Sequence, residues 1–423
     1  MKVLVIGSGG REHAIIKALK KNRRISQLYA APGNGGIGRD AQNAPVKSTD
    51  IPAMLEFTLK NKIDYIVVAP DDPLAAGTVD ALEEKKIRCF GPNKAAARIE
   101  SSKIFAKELM KKYGIPTASY EIFSDADKAA DYVKQDNVSF PLVIKADGLA
   151  LGKGVIIAAD TDEALNAINA VMCEKKFGSS GNSIVIEEYL AGNEVSVLAF
   201  TDGKNIKPVV SSMDHKRAFD GNKGPNTGGM GVIAPNPHYT KEIELLCNEK
   251  IFLPTIRAMR KEGCPFKGCL YFGLMLTPRG PMVIEYNCRF GDPETQVILP
   301  LLETDLLEIM EAVTDEKLAD INISWTDNHA ACVILASGGY PSSYKTGYVI
   351  DGLNETGSSK NGDAIIYHGG TEYKDGAFFT AGGRVLGVTA IAQSLEDALK
   401  IAYNNVNAID FKDMFCRRDI GKY

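Results

Sequence analysis

Within the first 92 residues four short apolar runs, VLVIG, QLYAA, YIVVAP and RCFGP, alternate with stretches of helical periodicity. That alternation admits few folds. Strands separated by crossover helices pair in parallel, giving an open α/β sheet whose ligands lie outside the carboxyl ends of the strands. Three turn-rich segments fall at those ends: GSGGREH, APGNGG and APDDPLAAG. The remaining chain, of 423 residues in all, exceeds one ordinary core, so two to four domains are expected.

The first turn tests for a dinucleotide. Gly7 and Gly9 fit the opening of a G-x-G-x-x-G pattern, but Glu12 stands where the third glycine should let helix and strand approach. The second strand ends in Ala30, Ala31 and Pro32, without the carboxylate that would bind a ribose. NAD is therefore excluded. Backbone N–H groups at a helix start still attract an anion, and Arg11 adds a charged fork beside them. On this segment alone, a plain tight turn with surface charges remains open.

The charge balance, 49 basic against 53 acidic residues, argues against nucleic acid as the main partner. The eight cysteines form no C-x-x-C pair and keep no zinc spacing with the five histidines, so reduced, mostly buried thiols are expected. No apolar stretch approaches the roughly 20 residues of a membrane span. A cytoplasmic enzyme is the expectation, with no membrane partner.

Downstream, ESSKIFAKELMKKYGIPTASY predicts a helix capped by Ser101 or Ser102, ended by Gly114 and barred from continuing by Pro116. In VIKADGLALGKGVIIA, Lys145 ends one strand, a loop with three glycines, Gly148, Gly152 and Gly154, follows, and Lys153 within it precedes the next strand. This suits a phosphate-covering hairpin; it is not a Walker loop, because a strand follows. In VIEEYLAGNEVS, Glu187 and the backbone up to Leu190 suit an adenine edge and Glu194 a ribose. In MVIEYNCRFGDPETQ, Glu285 and Asn287 alternate along a strand and share a face, as Mg²⁺ bridging nucleotide phosphates would require, with Arg289 to hold the transferred group. Lastly, SSMDHKRAFDGNKGPNTGGMG packs five charged or imidazole side chains before five glycines, the composition of a long functional loop.

Taken in order, these segments, with PGNGG, FGPNKAAARIESSKIFAKELM and GGRVLGVTA, resemble the ATP-grasp superfamily and, within it, the phosphoribosylamine–glycine ligases. The resemblance implies an α/β and α+β multidomain chain. It would comprise an N-terminal open parallel α/β substrate-binding domain (1–100), an ATP-grasp domain (101–324) with a lid at about 118–188, and a small C-terminal α+β domain (325–423). It also implies ATP-dependent ligation of glycine to phosphoribosylamine through glycyl phosphate, in de novo purine biosynthesis, with Mg²⁺ or Mn²⁺ as cofactor.

By the same resemblance Lys103 and Lys145 hold phosphates, and the loop through Gly148, Gly152, Lys153 and Gly154 covers them. Glu187 and Leu190 line the adenine, Glu194 meets its ribose, and Glu285 and Asn287 bind the metal. Arg289, Asp214 and Lys216 are the implied catalytic groups. Asn226, Thr227, Gly228, Gly229 and Met230 shape the glycine and amine site, while Gly9, Gly10, Arg11 and Glu12, with Asn34, Gly35 and Asp71, hold phosphoribosylamine. Asp71 departs from the family's usual glutamate. An upstream amidotransferase is the implied source of the unstable amine. Two rival readings are another ATP-grasp ligase and a nucleotide-binding regulator without turnover.

Overall fold

Strand Lys2–Gly7 sends Leu4 and Ile6 into one apolar layer and Val3 and Val5 into another, each fully buried. Such a strand belongs in the middle of a sheet covered on both faces. In the computed structural model, which describes residues 1–149, 154–360 and 362–422, it is the central strand of five parallel ones. The order across the sheet is Gln42–Asn43, Gln27–Pro32, Lys2–Gly7, Tyr65–Val68, Arg88–Phe90. The chain winds outward to one side and then returns to the other, so the switch point lies between Lys2–Gly7 and Tyr65–Val68. Arg11 and Asp71 follow these two strands, which is where such a sheet offers a binding crevice.

Helix Lys103–Tyr113 matches its sequence signals: the Ser102 side chain accepts from the Phe105 N–H at 3.1 Å, and Gly114 ends it at φ 66°. Beyond it stands a four-stranded antiparallel sheet, Tyr120–Phe123, Ile184–Glu188, Leu142–Ala146, Val155–Ala158, with its own apolar core under helices Ala126–Val133 and Thr161–Ile168. A second four-stranded sheet contains the long hairpin Lys267–Thr277 and Gly280–Asn287, turned at Pro278–Arg279. The two sheets flank the mouth of one cavity.

The C-terminal sheet is built differently from the composition shift near Trp325. Its order, Met213–Asp214, Gly231–Ala234, His329–Ala336, Arg384–Ala392, Ile365–His368, takes two strands from upstream of that shift. The segment between those two, expected as an irregular loop, instead contains a two-stranded ribbon, Arg217–Phe219 paired with Lys223–Asn226, turned through Asn222 at φ 54° and Gly221 at φ 68°. Among the described residues no helix is long and apolar enough to cross a membrane, and the eight cysteines are free thiols, six of them buried.

Candidate active site

A cavity of about 410 Å³ lies where the N-terminal sheet, the two antiparallel sheets and the C-terminal region meet. The hairpin strand Gly280–Asn287 brings Glu285, Asn287 and, just past its end, Arg289 to the cavity wall. Arg289 donates to Asn287 Oδ1 at 3.2 Å and pairs with the buried Glu100 at 3.1 Å, so a carbonyl oxygen and a guanidinium are held side by side. Lys216 Nζ stands 3.7 Å from Glu285 Oε1. Burial raises the Glu285 carboxyl, but Lys216, Lys145, Lys103 and Arg289 outweigh it and hold it below the usual carboxylate range. One ionised carboxylate and one amide oxygen, with no group of three acidic, His or Cys ligands among the described residues, suit a divalent cation that keeps water and phosphate oxygens.

At one end of the cavity, Glu187 lies between two buried lysines. Lys107 Nζ is 2.9 Å from Oε2, and Lys145 Nζ is 3.0 Å from Oε1 in an ion pair without hydrogen-bond alignment. Lys145 also donates to the Ile284 carbonyl at 2.9 Å. Burial pulls Lys107 down to about 8 against the pull of Glu187. Lys103, Gly154, Leu190 and Glu194 line the same end of the cavity. Gly148 sits behind it, its carbonyl accepting from Lys103 Nζ at 3.2 Å. Gly152 and Lys153 lie outside the described residues.

At the opposite end, Asp214 and Glu294 bring two carboxylates together under Tyr271, whose hydroxyl donates to Glu294 Oε1 at 3.1 Å. Burial first, then Glu294, pushes the Asp214 carboxyl well above its usual range, and among the described residues its buried Oδ1 has no hydrogen-bond partner. Two crowded carboxylates with an unsatisfied oxygen are suited to a cationic ligand. Asn226, Thr227 and Gly228 line this end, whereas Gly229 and Met230 are buried behind it. A side chain at Gly229 would collide with Asp214 Oδ1, at 2.5 Å from an added Cβ.

The N-terminal turn differs from its expected role as a backbone anion cradle. The Gly9 N–H donates to Glu12 Oε2 at 2.6 Å and the Arg11 N–H to Asp292 Oδ2 at 3.2 Å, so carboxylates of the chain already occupy these donors. Glu12 is spent on this cap and on Arg11 Nε at 2.6 Å. Arg11 itself reaches the cavity wall, as does Asp71, whose carboxyl is raised by burial but held low overall by Arg289 and Arg11. Gly10 packs against Gln296. Asn34 and Gly35 do not line the cavity: the Asn34 amide donates to the carbonyls of Ser8 at 2.8 Å and His368 at 2.7 Å, and the Gly35 N–H donates to Thr371 O. They join the first domain to the C-terminal sheet.

Sequence reasoning missed Glu294, Asp292, Glu100, Lys107 and Arg384. The run FGDPETQ signals the first two. Arg384 stands in GGRVLGVTA, where nothing local to the sequence marks it as reaching the cavity.

Three family descriptions match: the phosphoribosylglycinamide synthetase N domain over residues 1–100, its ATP-grasp (A) domain over 101–295 and its C domain over 330–423. The chain is 48% identical over 420 residues to a phosphoribosylamine–glycine ligase of Caldanaerobacter subterraneus subsp. tengcongensis, covering 99% of each. A crystal structure of a phosphoribosylamine–glycine ligase from Thermotoga maritima superposes with a TM-score of 0.86 at 35% identity, over 99% of this chain and 100% of that one. The biotin carboxylase domain of Hydrogenobacter thermophilus 2-oxoglutarate carboxylase shares the fold at 17% identity, TM-score 0.75, over 98% of this chain and 91% of that one.

Proposed function

The chain belongs to the phosphoribosylglycinamide synthetase family, and from that premise we propose how its cavity divides the reaction. The protein is an ATP-dependent carbon–nitrogen ligase that joins glycine to phosphoribosylamine in purine biosynthesis. In our reading one carboxylate oxygen of glycine attacks the γ-phosphorus of ATP, and the bond to the bridging oxygen of ADP breaks, leaving glycyl phosphate. The amine nitrogen of phosphoribosylamine then adds to the acyl carbon. Phosphate departs with that carboxylate oxygen, and the nitrogen gives up a proton. Such chemistry asks for positioning and charge neutralisation more than for covalent help.

Lys103 and Lys145 receive the nucleotide phosphates, with Gly154 beside them. Leu190 and Glu187 bound the adenine, and Glu194 accepts from the ribose. Glu285 and Asn287 are the residues that would hold Mg²⁺ or Mn²⁺, and the charge neutralisation that phosphoryl transfer needs is what such an ion would supply. Arg289 steadies the acyl phosphate, and Lys216 screens the carboxylates around it. Asp214 and Glu294 receive the glycine ammonium, which supplies the partner that Asp214 Oδ1 lacks. Arg11 and Asp71 bind phosphoribosylamine at the switch point of the first sheet, and Gly9, Gly10 and Glu12 hold Arg11 in place. We assign the reaction to the cytoplasm, with an upstream amidotransferase as the candidate donor of the amine.

One observation carries this reading: Arg11, Glu285, Arg289, Asp214 and Lys145, from distant parts of the chain, line a single cavity. The test is ADP release with ATP, Mg²⁺ and glycine, with and without freshly generated phosphoribosylamine. Release that needs both, with glycinamide ribonucleotide found by mass, supports the assignment. Equal release with an unrelated carboxylate or amine overturns it.

A further inference from the structure

The segment from Asp214 to Gly231 shapes the glycine end of the cavity, yet its own composition gives it little reason to hold one shape. It includes five glycines, and glycine loses more backbone freedom on ordering than any other residue. Among the described residues its ribbon pairs only with itself, at Arg217–Asn226 and Phe219–Lys223, and an isolated two-stranded ribbon is marginal in water. Something outside the ribbon must keep it in place.

The last residues of the chain do so. Arg417 is 1% exposed and is locked by two bonds to Asp419, Nε to Oδ1 at 2.7 Å and Nη2 to Oδ2 at 2.8 Å. Its remaining nitrogen, Nη1, donates to Asn222 Oδ1 at 2.9 Å and to the Arg217 carbonyl at 3.3 Å. Around it, Asp419 Oδ2 accepts from the Gly221 N–H and Asp220 Oδ1 from the Arg418 N–H, both at 2.8 Å. At the base of the ribbon the Gly421 N–H donates to His215 Nε2 at 3.1 Å, and His215 Nδ1 stands 3.2 Å from the Gly231 carbonyl. His215 lies between Asp214 and Lys216 in the chain, so this bond bears directly on their placement. A second arginine of the C-terminal region, Arg384, donates to the Gly228 carbonyl at 2.5 Å and to the Asp292 carbonyl at 2.7 Å.

We propose that the C-terminal region is a positioning clasp for the acceptor side of the cavity, with Arg417 and Arg384 as positioning residues that hold Asp214–Gly231 in the shape that receives glycine. The proposal rests on the ligase reading above. Arginine suits the task because its fixed fork serves several acceptors at once, which a lysine cannot reproduce.

Removing Arg417 strips a buried ion pair and endangers folding, so the decisive variant is Asn222→Gly. It deletes the acceptor at the exposed tip and keeps a residue that tolerates positive φ. Arg384→Lys tests the other anchor. Each folded variant is expected to raise KM for glycine by about tenfold while ATP affinity stays within about twofold, a split that general destabilisation does not produce. Hydrogen exchange is expected to quicken in 217–226 of Asn222→Gly and to remain as in the parent at Tyr120–Phe123. Unchanged KM for glycine in both variants overturns the proposal, and so does an equal loss of ATP affinity. A parent protein without ligase turnover would refute the ligase reading instead, and unchanged exchange in the ribbon would still refute the clasp.

Discussion

Lys145 and Glu187, on neighbouring antiparallel strands, bring opposite charges within 3.0 Å of each other at one end of the cavity, both almost fully buried. The same carboxylate faces Lys107 at 2.9 Å, so one anion balances two cations. Replacing Glu187 with Gln leaves both lysines uncompensated. Breaking a buried pair in this way costs about 3–5 kcal/mol. A clear drop in the thermal midpoint, with weaker ATP binding, is the expected result; an unchanged midpoint would mean that the lysines are solvated.

Glu285→Ala removes the ionised carboxylate that we assign to the metal and frees Lys216 from its neighbour at 3.7 Å. We expect kcat to fall by at least about a hundredfold in a folded protein, a loss typical for removal of one electrostatic stabiliser. Turnover at the parent rate with saturating Mg²⁺ would contradict the metal assignment.

Arg11→Ala should raise KM for phosphoribosylamine by at least about tenfold and leave KM for ATP within about twofold, since Arg11 follows the first strand at the switch point of the first sheet. An equal rise in both would take the N-terminal turn out of the amine site.

Three of the five histidines, His13, His215 and His368, are buried, and burial lowers their pKa values from 6.5 to about 4, 4 and 3. Their folded-state values lie below the unfolded one, so the unfolded chain binds more protons between them. The stability they contribute is complete above pH 6.5 and is lost as pH falls towards about 4 for His13 and His215 and about 3 for His368, by roughly 1.4 kcal/mol per pH unit for each group. Ring resonances of all three should keep their neutral positions through the range in which an exposed histidine titrates. Movement of any of them near 6.5 would show that ring to be charged in the fold.

The parts of this architecture that a reader of the sequence can recover are those fixed locally. Ser102 and Gly114 bound their helix through bonds to residues three or four positions away, and the alternation of Glu285 and Asn287 follows from the strand that carries them. What escapes is set by contacts far along the chain. Arg384 gains its meaning from Gly228, 156 residues earlier, and the Arg11 N–H is claimed by Asp292, 281 residues later. The glycine turn therefore reads as an open anion cradle although carboxylates already fill it. Likewise Asn34, which looks free in a glycine-rich loop, spends its amide on the carbonyls of Ser8 and His368. The ribbon at 217–226 has no apolar alternation to announce it, because its support comes from Arg417 and Asp419 at the other end of the chain.

The central claim is that glycine's carboxylate is phosphorylated in this cavity before the amine attacks. The most direct measurement is the fate of heavy oxygen from carboxylate-labelled glycine, followed by mass spectrometry of the phosphate released in a single turnover. One labelled oxygen per phosphate is the expected result, because the departing group keeps the oxygen that attacked ATP. Phosphate free of label, with glycinamide ribonucleotide still formed, would contradict the account.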